Sequence, residues 1–295
     1  MIAAPQFIPW AISSLVIGAI VVAFVHRLHA QRGFTDRNFA GRTIPTSVGL
    51  AFGIVTALLV PQSLVWQCVD GCGGATSRDR RLAPLLFVAC VTGFSILGLI
   101  DDRFGSKEIR GLRGHFKALF RGVLTTGAVK ALGGAVTALL VASVWHASSG
   151  IPPVTTGTLM MLDGALIALG ANALNLLDRR PSRALKAYWL SLIMLLVAFG
   201  GQHSWMLVPL AMATLAYAPL DFRCQAMMGD AGSNALGAAL GSLVMLELPI
   251  AVHCAAVCAL LLFNLGSERI SYTKLIDNTA WLRWLDRLGT SRSLE

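Results

Sequence analysis

Nine runs of mostly apolar residues divide this chain, at roughly 5–25, 46–66, 83–100, 122–145, 157–177, 187–201, 204–220, 231–247 and 249–266. Several approach the ~20 residues that a helix needs to cross the hydrocarbon core of a bilayer. Lipid offers no water to unpaired backbone groups, so runs of this length must be helices. Apolar types make up 55% of the residues and charged types only 13%, about half the charged share of a soluble protein. A soluble enzyme, a disordered chain and a disulfide-built secreted domain are all excluded. The first run is too long, and lacks the basic flank, for a cleaved signal peptide. The expected fold is an all-α polytopic membrane protein of about nine transmembrane helices. Residues 1–266 would form one helical bundle, and 267–295 a cytosolic tail.

The net charge of +9 would suggest nucleic acid in a soluble chain; here membrane topology accounts for it, and nucleic acid is not expected as a partner. Alternate loops hold 20 Lys and Arg on one side and only Arg78, Arg80 and Arg81 on the other. By the positive-inside rule the N-terminus is outside and the C-terminus cytosolic. In the tail, Ile270, Leu275, Ile276, Trp281, Leu282, Trp284, Leu285 and Leu288 alternate with Arg269, Lys274, Arg283 and Arg287. That mixture suits a helix lying in the cytosolic interface. Cys68 and Cys72 share an outer loop and could pair, while Cys254 and Cys258 read as small packing residues within the last span.

The placement of acids is more informative. Asp101, Asp102, Asp178, Asp221 and Asp230 all fall at predicted cytosolic ends of spans. Carboxylates at a membrane boundary need cations or shifted protonation. In NALNLLD, Asn172, Asn175 and Asp178 recur every three residues, so one helix face carries all three. MGDAGSNALG flanks Asp230 with glycines, which permit a close backbone approach. Such clustered acids suit Mg²⁺ bridging a diphosphate with one or two carboxylates. Arg, Lys and helix N-termini nearby would hold phosphate oxygens. Lys130 and Asp163 lie within spans and are functional candidates by position alone. His115 reads as a bystander among cytosolic arginines.

GLIDDRFG with the following LRGHFKAL, then NALNLLD, then GDAGSNALG, occur in this order at cytosolic span ends, and PTSVGL precedes them. Together they resemble the polyprenyl-phosphate N-acetylhexosamine-1-phosphate transferases, glycosyltransferase family 4, over residues 38–270. The resemblance implies a bacterial cytoplasmic-membrane enzyme of cell-envelope glycan synthesis. It would transfer a sugar-1-phosphate from a UDP-sugar to undecaprenyl phosphate, with Mg²⁺ as cofactor and a homodimer left open. It implies Asp230 as a Mg²⁺ ligand, and Asp101 and Asp102 acting on the lipid phosphate. Lys117, sixteen residues after Asp101, would neutralise phosphate, and Asn172, Asn175 and Asp178 would line the nucleotide side.

The departures are specific. Where the family continues DGLDGLA, this chain reads Asp178-Arg179-Arg180-Pro181-Ser182-Arg183-Ala184-Leu185-Lys186. Pro181 replaces an acid that contributes to uracil recognition in the family. The family's His-rich loop is missing, and nine spans stand where it has ten. Arg179 and Arg183 are candidates to grip phosphates instead. A silent homologue that binds the same ligands is the first alternative, and a transporter with a path through Asp163 and Lys130 is the second.

Overall fold

A computed structural model describes residues 4–69, 77–105, 125–147, 152–200 and 203–290. It is an α-helical membrane bundle. Helices α1 (Ala4–Gln31), α2 (Leu50–Val69), α3 (Ser77–Phe104), α4 (Thr126–Ala147) and α5 (Pro153–Leu177) come first. They are followed by α6 (Arg183–Phe199), α7 (Leu207–Phe222), α8 (Gly229–Glu247) and α9 (Ile250–Ser267), then two short helices, α10 (Tyr272–Asn278) and α11 (Ala280–Arg287). Among the described residues five helices are long and apolar enough to cross a membrane: α1, α3, α4, α5 and α9. Exposed Ile8, Ile12, Leu15, Val16, Ile20 and Phe24 give α1 an apolar outer face, as a lipid-facing helix requires.

Helix α8 is the axis of the bundle. Every residue from Ala231 to Met245 is buried, and α3 and α5 are its most extensive neighbours. Gly, Ala and Ser dominate its sequence, and small side chains let backbones approach closely. A Cβ on Gly237 would stand 2.1 Å from the Gly170 carbonyl oxygen, and one on Gly241 2.8 Å from Ile167 Cα. The same feature leaves α8 outside the five helices apolar enough to cross a membrane by composition, although the sequence marks it as an apolar run.

One element departs from the all-α expectation. Strands β1 (Thr35–Arg37) and β2 (Thr43–Pro45) pair antiparallel, with Thr35 opposite Pro45 and Arg37 opposite Thr43. The Asn38 side chain accepts from the amides of Ala40 and Arg42 at 3.0 and 2.9 Å, and Gly41 turns the chain at φ +75°. This hairpin delivers the segment 45–49 alongside the residues that precede α8. Met227 N–H donates to Pro45, while Val48 and Gly49 donate to the carbonyls of Met227 and Met228.

Cys254 and Cys258 are exposed on α9, so their expected packing role is corrected: they lie on its outward face. Cys72 and the side chain of Cys68 lie outside the described residues.

Candidate active site

Antiparallel alternation brings the C-terminal ends of α3, α5 and α7 to the same end of the bundle as the N-terminal ends of α4, α6 and α8. The expected acids meet there. Neighbours in sequence, Asp101 and Asp102 have different partners. Asp102 accepts from Ser47 Oγ at 2.8 Å, from Asp230 N–H at 3.0 Å and from Ala231 N–H at 3.2 Å. Its carboxyl group sits on the N-terminus of α8, where unpaired amides and the helix dipole favour negative charge. Gly229 is required beneath it. Its φ is +69°, and a Cβ would stand 2.4 Å from Asp102 Oδ2.

Asp101 faces the other way. Its Oδ2 is 2.9 Å from Lys130 Nζ, and the same ammonium bonds Asp230 Oδ2. Asn175 Nδ2 donates to that Asp230 oxygen at 3.2 Å. Two carboxylates from α3 and α8 thus bracket one cation supplied by α4. Lys117, expected to bring the positive charge, lies outside the described residues, as does His115. The lysine beside the acids is Lys130. The sequence signal for it was an ammonium within a span, which is expensive unless a partner holds it.

The Asn172, Asn175, Asp178 face divides in two. Asn172 donates to Asn264 Oδ1 on α9 at 2.5 Å and is exposed rather than turned toward the acids. Asn175 alone reaches Asp230. Asp178 caps α5 with its backbone amide, which bonds the carbonyls of Leu174 and Asn175. Burial pushes the Asp178 carboxyl well above the usual range, the carboxylates of Asp221, Asp230 and Asp102 push it further, and Arg179 pulls the other way. Asp221 accepts from Ser182 N–H at 2.9 Å and fastens the start of α6.

The arginines of the loop between α5 and α6 also divide. Arg179 is exposed. Arg180 pairs with Asp277 at 3.1 Å and lies over the Phe39 ring. Arg183 is buried, and its Nε and Nη2 hold both oxygens of Asp286 at 2.7 and 2.8 Å. The expectation that Arg183 grips a phosphate is therefore corrected: its two-pronged contact is engaged by the tail, and a buried pair of this kind is strongly destabilised when broken.

Among the described residues no three His, Cys, Asp or Glu groups form a metal cage. Mg²⁺ does not need one, since it commonly takes one or two carboxylates and completes its shell with phosphates and water. Asp101 and Asp230 already converge on a cation, Lys130, and in that respect they fit a metal shared with a diphosphate.

Asp163 belongs elsewhere. Its oxygens stand 2.6 Å from His146 Nε2 and 2.7 Å from His253 Nδ1. His146 follows Lys130 on α4 by sixteen residues, or about 24 Å of helix. The two in-span charges therefore sit in separate clusters, joining α4, α5 and α9 at one level and α3, α4 and α8 at another.

The family described as glycosyl transferase family 4 matches residues 84–248, a range that holds Asp101, Lys130, Asn175 and Asp230. Over 260 residues the chain is 26% identical to the phospho-N-acetylmuramoyl-pentapeptide transferase of Acetivibrio thermocellus, covering 80% of this chain and 71% of that relative.

Proposed function

Because the chain belongs to glycosyl transferase family 4, whose members move a phospho-sugar onto a polyprenyl phosphate in cell-wall synthesis, we propose that it is a sugar-1-phosphate transferase using a UDP-sugar and undecaprenyl phosphate. The single observation that carries this reading is the cation bracketed by Asp101 and Asp230, with Asn175 donating to the same Asp230 carboxylate. In the proposed reaction an oxygen of the lipid phosphate attacks the phosphorus that bears the sugar. The bond to the second phosphate breaks, and UMP leaves with its electron pair.

Phosphoryl transfer of this kind leaves the protein mainly to position and neutralise charge. Lys130 would hold phosphate oxygens of the incoming diphosphate. Asp102, fixed by three hydrogen bonds, positions the start of α8 and so the Asp230 carboxylate. Asn175 and Asp178 would face the nucleotide, with exposed Arg179 free to meet its phosphates. Asp230 and Asp101 would hold Mg²⁺, which supplies charge neutralisation at the diphosphate when bound. The positive-inside count supports a cytosolic orientation for this end.

A ligand-binding homologue without turnover is the second reading, and Pro181 in place of an acid favours it. Purified protein with Mg²⁺, undecaprenyl phosphate and a panel of UDP-sugars separates the two. Magnesium-dependent UMP release, lost in Asp230→Asn, is the expected result. Ligand binding with no UMP from any donor would establish the silent reading. The transporter reading needs Lys130 and Asp163 in one path, and their separate clusters weigh against it.

A further inference from the structure

The segment that follows α9 has two faces with opposite partners. Its inner face crosses the acid-bearing end of the bundle. Tyr272 stacks on Phe263 of α9, with ring centroids 4.4 Å apart. Asp277 and Asp286 then pair with Arg180 and Arg183, Arg183 also donates to Thr273 at 3.2 Å, and Lys186 Nζ donates to the carbonyls of Leu285 and Asp286 at 3.0 and 2.7 Å. At the far end Gly289 abuts the Phe222 ring of α7. All three cations come from the loop between α5 and α6 and the first turn of α6, the stretch headed by Asp178.

The outer face is apolar, and no described residue covers it. Trp281, Trp284, Leu285 and Leu288 recur at helical spacing, and the two tryptophans are 66% and 64% exposed. On a helix these four positions form one stripe, and Asp286 projects from the other side. Exposed Arg287 borders the stripe, exposed Arg283 lies further round toward the Asp286 side, and exposed Arg269 and Lys274 precede it. The segment begins directly where the membrane-length helix α9 ends. Trp and Leu rimmed by basic residues, at the mouth of a membrane helix, match the headgroup boundary of an anionic leaflet.

We propose that α10 and α11 form a membrane-surface strap: the Trp281–Leu288 stripe lies in the lipid headgroup boundary, and the inner face ties the loop after α5 to that surface. The bilayer then sets the position of the loop that carries Asp178. This last consequence rests on reading the acid-bearing end as the transferase site; the strap itself does not.

Nanodiscs of phosphatidylglycerol and phosphatidylcholine with acyl chains brominated near the headgroup provide the test. The tryptophan emission that disappears in Trp281→Phe/Trp284→Phe should be strongly quenched by the bromolipid and weakly by aqueous acrylamide. The reverse order would overturn the membrane contact. Protection from both quenchers, with two chains cross-linked through α11, would assign the stripe to a second copy and overturn it equally. The tie to the loop is read by trypsin, which both faces of a nanodisc admit. Cleavage after Arg179 should quicken about fivefold or more in Asp286→Ala and return toward wild type in Asp286→Glu. Equal cleavage in all three proteins would overturn the tie. Neither readout uses turnover, so a failed transferase assay leaves both results standing.

Discussion

Asp101, Asp102, Lys130 and Asp230 form a chain of charges in which each has a distinct environment. Asp102 accepts three hydrogen bonds, from Ser47 and two α8 amides, whereas Asp101 and Asp230 share Lys130. Lys130→Gln removes the charge and leaves a polar side chain one atom shorter. Turnover should fall by about 100-fold or more, the cost of losing one donor to developing charge in a dry site. Apparent Mg²⁺ affinity should rise in the same variant, because the two carboxylates lose the ammonium that competes with a metal. UMP release and magnesium titration of nucleotide binding check both signs, and a variant with normal turnover would remove Lys130 from the site. The sequence showed which acids gather, because charge at a span end is conspicuous. It could not divide Asp101 from Asp102, since adjacent residues on a helix point about 100° apart and only tertiary partners decide their work. Lys130 was legible as a costly charge but not as a partner of Asp101, which lies 29 positions earlier across residues of no regular period. Arg183 was misread for a related reason: its carboxylate partner is 103 residues away.

At the scale of elements, helix α8 tests whether close backbone packing holds the site together. The Gly237 Cβ position overlaps backbone atoms of Gly170 and Ala171, which cannot rotate aside as a side chain could. Gly237→Ala should therefore lower stability by about 1–3 kcal/mol, the usual penalty of overpacking. Gly157→Ala on α5 meets nothing within 4 Å and should be neutral or slightly stabilising through better helix propensity. Thermal unfolding of the two variants in one detergent compares them directly, and equal midpoints would contradict the packing role. The sequence placed α8 well because glycines at its start and apolar residues beyond marked a boundary. The β1–β2 hairpin was missed, since three-residue strands fall below any period that a pattern can reveal. Its signal was Asn38, a turn-former followed three positions later by Gly41.

For the whole molecule, the charge asymmetry of the loops predicts which end faces the cytosol. Single cysteines placed in a cysteine-free background should be labelled by an impermeant reagent from outside at 78–81 but not at 179–186. Labelling of the second loop in intact cells would reverse the orientation and move the acids to the outer surface. The general architecture was readable because hydrocarbon thickness fixes the length of an apolar run, while the contacts that build the site are between distant segments and leave no trace in local composition. The burial of α8 also bears on how the protein is made. A helix of Gly, Ala, Ser and Asn with no lipid-wetted surface gains little by entering a bilayer alone. During biogenesis it must be received by helices already in place, α3 and α5 foremost. The acid-bearing end is therefore assembled late, when α8 arrives and its first amides find Asp102 waiting.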